Sequence, residues 1–382
     1  MRRYDCLKAI AGLLANDDLV VTNLANTATE WHSVRPHDAN LYFVGMGMVA
    51  SYATGLALAL PHRRVLALDG DGGLLFDLGI LGTIGRLRPS NLTLLVFDNG
   101  GYASVGETSA TASLTTDTVS LEAVARGAGV PQVRTTRTVD ATLGALRDAR
   151  ERTQPAVIVA KVDTTQAFVG TSIPDAKENK YRFARHIEAT ERVIILRPSA
   201  REHGAPAPPD PVSAPVAEDD DVGQIIVDGM RENDVDFVIG LPSSGLRGAQ
   251  ERCIGEPSMR YVTVANEGTG MGLCAGAWLG GRRPAALVEN FGFFASAYQL
   301  LRGQHTFGIP TLLVMEHRGD AGDREFFSES GEMTEGILEA MRINHRVVRT
   351  RTELKPAIRD GIRWMAFAMR PYAVVVSYDL VR

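Results

Sequence analysis

The chain has 382 residues, 45% of them hydrophobic and 22% charged, enough for two ordinary globular domains with separate cores. A net charge of -5 and the lack of any lysine/arginine block argue against nucleic-acid or membrane-surface binding. Three scattered cysteines (Cys6, Cys253, Cys274) without a CxxC form no disulfide framework and suit a reducing, cytoplasmic setting.

The N-terminal stretch MRRYDCLKAIAGLLANDD starts basic and turns apolar, but charge breaks the run and no convincing cleavage site follows. It is expected to be an amphipathic helix rather than a signal peptide. No run of 18 apolar residues exists, so no transmembrane helix is expected. Strand candidates in the first half are LVVTNL, LYFV, VLALD, LTLLVFD and AVIVAKV. In the second half they are DFVIG, YVTV, AALVEN, TLLVM, RVVRT and AVVVSYD. Helix-like stretches lie between them, among them VASYATGLALAL, DATLGALRDARER and ELKPAIRDGIRWMAFAM. Continuous apolar strands separated by helices predict parallel sheets covered on both faces. The expected fold class is therefore α/β, with two doubly wound, mostly parallel sheets. Residues 197–220 are rich in Pro and Ala and lack hydrophobic periodicity, which is linker composition. The expected domains are 1–196 and 221–382, with ligands bound at the carboxyl ends of the strands.

Residues 65–102 carry the strongest chemical pattern. One apolar strand ends in Asp69, Gly70, Asp71, Gly72 and Gly73, and a second ends in Asp98, Asn99, Gly100, Gly101 and Tyr102. Strand–helix–strand geometry puts Asp71 and Asn99 on neighbouring loops at one sheet edge. Mg2+ wants six oxygens, some usually from phosphates. Asp71 offers a carboxylate, Asn99 an amide oxygen and Gly101 a backbone carbonyl. The glycines let the main chain approach a diphosphate, and a helix starting after Gly73 would add amide donors. Two plain tight turns would give the same letters. A rival pattern, Gly45-x-Gly47-x-x-Ala50 with Asp69 about 20 residues later, meets the dinucleotide fingerprint on paper. It leaves both glycine-rich turns unexplained and gives the second half no role.

The spacing of GDG and the later Asn, about 27 residues, resembles that of thiamine diphosphate enzymes. The stretch VGMGMVASYATGLALAL followed by GDGG, with GETSATA and LEAVARGAGV further on, resembles the pyrophosphate-binding subunit of sulfopyruvate decarboxylase, and phosphonopyruvate decarboxylase is similar. In the second half, NEGTGMGLCAGAWLGGRRPAALVEN and GIPTLLVMEHRGDAGD resemble the pyrimidine-binding partner of the same enzymes. The resemblance implies a pyrophosphate domain fused ahead of a pyrimidine domain, the reverse of the phosphonopyruvate decarboxylase order.

It further implies thiamine diphosphate and Mg2+ as cofactors and a cofactor site made of Val44, Met46, Gly70, Asp71, Gly72, Gly73, Asn99, Gly101 and Tyr102. Asp71, Asn99 and Gly101 would be the metal ligands. Met46 would prop the cofactor, and the Val44 carbonyl would meet its 4′-amino group. Glu267 would touch N1′ of the aminopyrimidine as the catalytic acid. Ser243, Ser244, Asn290 and Arg318 become substrate candidates, with Arg318 pairing bidentately with an anionic tail. Arg302, His305, His32 and His37 are weaker candidates with ordinary surface or structural explanations.

The implied activity is decarboxylation of a small 2-oxo acid with an anionic tail, giving CO2 and an aldehyde, by a homodimer or dimer of dimers. A carboligase is the alternative, and a non-catalytic paralogue a remote one. Two departures bear on the substrate. The family's Gln-Asn-Ser-Gly-Leu-Gly-Asn becomes Glu289, Asn290, Phe291, Gly292, Phe293, Phe294 and Ala295, and its Trp-Arg-Gly becomes His317, Arg318 and Gly319. Added aromatic bulk suits a larger or less polar substrate than sulfopyruvate.

Overall fold

A computed structural model describes residues 1–24, 26–106, 108, 111–196 and 221–382. The Pro/Ala-rich segment 197–220 lies outside the described residues, as do Glu107, Ser109 and Ala110 of the GETSATA stretch. The chain divides into two compact units, Met1–Val193 and Ile194–Arg382.

In the first unit six strands are formed by Leu19–Thr22 (β1), Asn40–Leu41 (β2), Val65–Gly70 (β3), Leu92–Asp98 (β4), Gln132–Thr136 (β5) and Ala156–Lys161 (β6). They pair in the order β2-β1-β3-β4-β6-β5, and every pairing is parallel. In the second unit the strands are Phe237–Gly240 (β7), Arg260–Thr263 (β8), Pro284–Glu289 (β9), Leu312–His317 (β10), Asn344–Val348 (β11) and Tyr372–Ser377 (β12). Their order is β11-β12-β10-β9-β7-β8, again all parallel. Counted from its other edge, this is the order of the first sheet strand for strand. The expected doubly wound α/β architecture is therefore present twice.

The central strands are buried almost throughout because helices cover both faces, as their unbroken Val/Leu/Ile runs require. In each unit the crossover from the second strand to the third contains a helix buried at every residue. These are Val49–Ala59 and Glu267–Leu279, whose Ala, Gly and Leu residues are apolar around the whole circumference.

Two details differ from the sequence expectation. LYFV yields only a two-residue strand, because Phe43 takes a left-handed backbone (φ 58°) that no strand accommodates. The chain instead turns so that the Val44 N–H donates to the Thr22 carbonyl at 3.1 Å. β5 is an additional strand whose QVRTT sequence is polar, since it pairs only with β6 at the sheet edge. Among the described residues, no helix is long and apolar enough to cross a membrane.

Strand register decides what meets at the carboxyl edges. Gly70 lies opposite Phe97, so Asp71 and Asp98 leave the first sheet side by side. In the second sheet Glu289 lies opposite Glu316. Beyond β10 the chain is held by a backbone contact. Gly319 has φ +79°, and a Cβ there would lie 1.9 Å from the Phe327 carbonyl oxygen. A Cβ on Gly331 would lie 2.1 Å from the Gly319 oxygen. Both neighbours are backbone and cannot swing aside. Gly331→Ala is therefore expected to lower stability by about 1–3 kcal/mol, as overpacking does; denaturant unfolding checks this, and an unchanged midpoint would contradict it.

Candidate active site

In the first unit the strand order reverses between β1 and β3, where open α/β sheets bind their ligands. A cleft of about 140 Å³ opens there, lined by Asn23, Met46, Gly70, Asp71, Gly72, Gly73, Asn99, Gly101 and Tyr102. Val44 is buried just before Met46 and does not line it. The glycines have specific neighbours. A Cβ on Gly72 would lie 2.2 Å from the Tyr102 ring, and one on Gly73 would lie 2.2 Å from the Asp69 carboxylate. The helix expected to follow Gly73 starts earlier, spanning Asp71–Phe76. The amides of its first turn lack intrahelical acceptors.

Asp71 is 2% exposed. Its Oδ2 accepts the Ser113 hydroxyl and, at 2.9 Å, the Thr115 hydroxyl. Thr115 also lies 2.9 Å from Asp98 Oδ1, while Asp98 Oδ2 takes the Lys161 ammonium. Lys161 thus balances Asp98, and among the described residues no cation pairs with Asp71. Burial pushes the Asp71 carboxyl up, against the pull of the two hydroxyls, and Asp98 adds to the rise. Asn99 Oδ1 accepts the Gly101 N–H at 3.1 Å, closing a turn that brings the amide oxygen and the Gly101 carbonyl to the same cleft as Asp71.

One carboxylate, one amide oxygen and one carbonyl are all hard oxygen donors that leave room for phosphate and water, which fits Mg2+ on a diphosphate. No group of three His, Cys, Asp or Glu that could hold a metal occurs among the described residues. A dinucleotide role for Asp69 does not fit: it is 1% exposed, accepts the Gly70 N–H at 2.8 Å, and burial pushes its carboxyl up to about 7.

The sequence reading missed Ser113, Thr115, Lys161 and Asn23. The first two lie 42 and 44 residues from Asp71, and only the fold brings them back. Asn23 had a readable signal, a polar residue directly after an apolar strand. His32 and His37 are not in this cleft. They line another, with Tyr42, Arg182 and His186, where His32 Nδ1 lies 2.5 Å from the Thr171 hydroxyl.

In the second unit Glu267 is the first residue of its buried helix and is itself 8% exposed. Asn266 caps that helix, accepting the Thr269 N–H at 2.8 Å. Glu267 fits against Gly292, where a Cβ would lie 2.2 Å from its Oε1. Phe291 and Phe294 flank that glycine with their rings 6.4 Å apart, edge to face.

The substrate candidates have internal partners. Ser243 Oγ donates to Glu316 Oε2 at 2.8 Å. Ser244 is exposed and accepts from Arg318 Nη1 at 3.3 Å. Arg318 forks onto Asp323 at 2.8 and 3.1 Å, and its guanidinium lies 3.9 Å from the Phe327 ring centre. Burial pushes the Asp323 carboxyl up, but the fork and the Gly319 and Arg324 amides together hold it down at about 2. Asn290, expected as a substrate contact, also has internal partners. It is fully buried, and its amide nitrogen donates to the Arg318 carbonyl (2.8 Å) and the Thr334 hydroxyl (2.9 Å), tying β9 to the loop after β10. Arg302 and His305 fall in a π-helical turn, Leu300–His305.

Glycine-rich turns and the buried Asp71 carboxylate thus stand at the switch point of a doubly wound parallel sheet, where α/β proteins of this class bind their ligands. Residues 23–160 match the family model described as thiamine pyrophosphate enzyme, C-terminal TPP binding domain. The chain is 31% identical to sulfopyruvate decarboxylase subunit beta of Methanocaldococcus jannaschii, over 49% of this chain and 97% of that one. It is also 30% identical to sulfopyruvate decarboxylase subunit alpha of Methanothermobacter thermautotrophicus, over 37% of this chain and 86% of that one. Its fold matches a transketolase from Campylobacter jejuni with a TM-score of 0.66 at 14% identity, covering 98% of this chain and 73% of that one. The chain belongs to the thiamine diphosphate-dependent decarboxylase family that includes sulfopyruvate decarboxylase.

The Asp71 geometry yields a measurable expectation. Asp71→Asn should weaken Mg2+-dependent binding of thiamine diphosphate by about 100-fold or more, and Ser113→Ala by about tenfold, with the fold unchanged. Calorimetric titration checks this; wild-type affinity in Asp71→Asn would remove Asp71 from the metal site.

Proposed function

We propose that this protein uses thiamine diphosphate and Mg2+ to decarboxylate a small 2-oxo acid, releasing CO2 and an aldehyde. The observation that carries the proposal is Asp71, a buried carboxylate that pairs with no cation among the described residues and shares a cleft with Asn99 and Gly101. Asp71, Asn99 and the Gly101 carbonyl would hold the metal, and the main chain from Gly70 to Gly73 would approach the diphosphate. Met46 and Tyr102, which line the same cleft, would support the cofactor.

When bound, thiamine diphosphate supplies the electron sink that lets the carboxylate leave. Glu267 would hold a proton at N1′ of the aminopyrimidine. Its place supports this: it opens a helix, packs on Gly292 and has the Phe291 and Phe294 rings beside it as an apolar bed for a flat heterocycle. The exposed Ser244 and the remaining Arg318 donor are the groups left to meet the substrate, with Ser243 positioned behind them by Glu316. Two relatives that are separate subunits, alpha and beta, each match part of this one chain. We take this as support for an assembly in which at least two chains are needed.

The test is CO2 release with both cofactors from sulfopyruvate, phosphonopyruvate, pyruvate and an aromatic 2-oxo acid, each with and without an acceptor aldehyde. Free aldehyde without the acceptor is expected; CO2 only with the acceptor would move the protein to the carboligase reading. Glu267→Gln should lose activity by about 100-fold or more, within the range for a general acid–base group, while still binding the cofactor. Loss of binding instead would make Glu267 structural. In sedimentation, the active protein is expected to run as a dimer or larger, and an active monomer would refute the proposed assembly.

A further inference from the structure

At the carboxyl edge of the second sheet Arg318 stands among three carboxylates, Asp323, Glu316 and Glu289. Arg318 spends Nε and Nη2 on Asp323 at 2.8 and 3.1 Å. Its Nε also lies 3.7 Å from Glu316, and its Nη1 lies 4.0 Å from Glu289. Glu316 is fully buried; its Oε2 takes the Ser243 hydroxyl and the Gly245 N–H, and its Oε1 has no hydrogen-bond partner. Asp323 takes both arms of the fork, which leaves Glu289 and Glu316 without a close ion pair to this guanidinium.

Glu289 differs from the others. It ends β9 and precedes the helix Asn290–Ala295 without capping it through its side chain. Its side chain is 26% exposed, and among the described residues its carboxylate makes no hydrogen bond. Three residues on, Gly292 packs against Glu267. A carboxylate with free acceptor capacity therefore stands close in the chain to the glycine that packs on Glu267. Burial, and then Glu316, push its carboxyl up, and Arg318 pulls the other way.

We propose that Glu289 sets substrate choice, favouring 2-oxo acids whose tail is uncharged and donates a hydrogen bond over those ending in a sulfonate or phosphonate. The inference rests on the decarboxylase reading and deepens it. A sulfonate brought beside Glu289 meets a like charge, and Arg318 offers no uncommitted fork to offset it. A hydroxyl or amide tail instead finds an acceptor whose lone pairs are unused.

The holoenzyme, with thiamine diphosphate and Mg2+, is assayed for CO2 release from hydroxypyruvate and from sulfopyruvate. The wild type is expected to favour hydroxypyruvate in kcat/KM by about tenfold or more. Glu289→Gln keeps the shape and removes the charge. It should shrink that ratio at least about tenfold, chiefly by lowering KM for sulfopyruvate, with cofactor affinity unchanged. Glu289→Asp, which keeps the charge, should retain the hydroxypyruvate preference. A wild type that prefers sulfopyruvate overturns the inference, as does a ratio unmoved in Glu289→Gln. Equal losses on both substrates would assign Glu289 a structural role and overturn it too. No CO2 from either of these acids or from the wider panel would overturn the decarboxylase reading and this inference together, whereas CO2 release with an unchanged ratio sinks the inference alone.

Discussion

A carboxylate taken out of water must find opposite charge or several donors, and among the described residues Asp71 finds two hydroxyls and the Gly72 amide. These give it hydrogen bonds but no positive charge, and Lys161 is spent on Asp98. The site is therefore electrostatically incomplete as protein alone. The rest of the first unit serves that incompleteness. Parallel pairing of β3 with β4 brings Asp71 and Asp98 to one edge. The Asn99–Gly101 turn faces the same cleft, and the glycines at 72 and 73 let Tyr102 and Asp69 close in around the main chain.

The second sheet repeats the topology and changes the chemistry. Both units run their strands in the order 2-1-3-4-6-5, and both cover the central strands with a wholly buried helix after the second strand. In the first unit the segment before that helix holds Met46; in the second, the helix itself opens on Glu267. Shared order with no visible sequence repeat is what backbone constraints produce. Right-handed crossovers and buried parallel strands restrict topology strongly and side-chain identity only to apolar residues of the right bulk.

This also explains what could be read from the sequence. The central strands were legible because burial on both faces demands unbroken apolar runs, as in LTLLVFD and AVVVSYD. β5 was not, because an edge strand that pairs on one side can be as polar as QVRTT. β2 looked longer than it is because nothing in LYFV announces the left-handed turn at Phe43. In the cleft, Asp71 and Asn99 were legible from two glycine-rich turns at a fixed spacing. The hydroxyls that hold Asp71 were not, since no local pattern links position 71 to 113 and 115. Asn290 has partners that its sequence context does not announce. A polar residue at a strand end reads as a binding group, but its amide is consumed by the Arg318 carbonyl and Thr334.

Arg318 shows why a charge read from sequence is a poor guide to a charge available in a site. An arginine in a loop after an apolar strand suggests a grip on an anionic tail. Here the partner is five residues away in the same loop: Asp323 takes the fork and also accepts the Gly319 N–H at 2.9 Å, so the pair stabilises the turn. The Phe327 ring covers one face of the guanidinium. What reaches outward is the residue on each side of that pair with the weakest partners among the described residues: Ser244, which accepts from Arg318 at 3.3 Å, and Glu289, whose carboxylate makes no hydrogen bond and lies 4.0 Å from Arg318 Nη1. On the specificity proposed for Glu289, the charge that matters at this edge is the one left without a hydrogen bond, not the arginine whose fork is already taken.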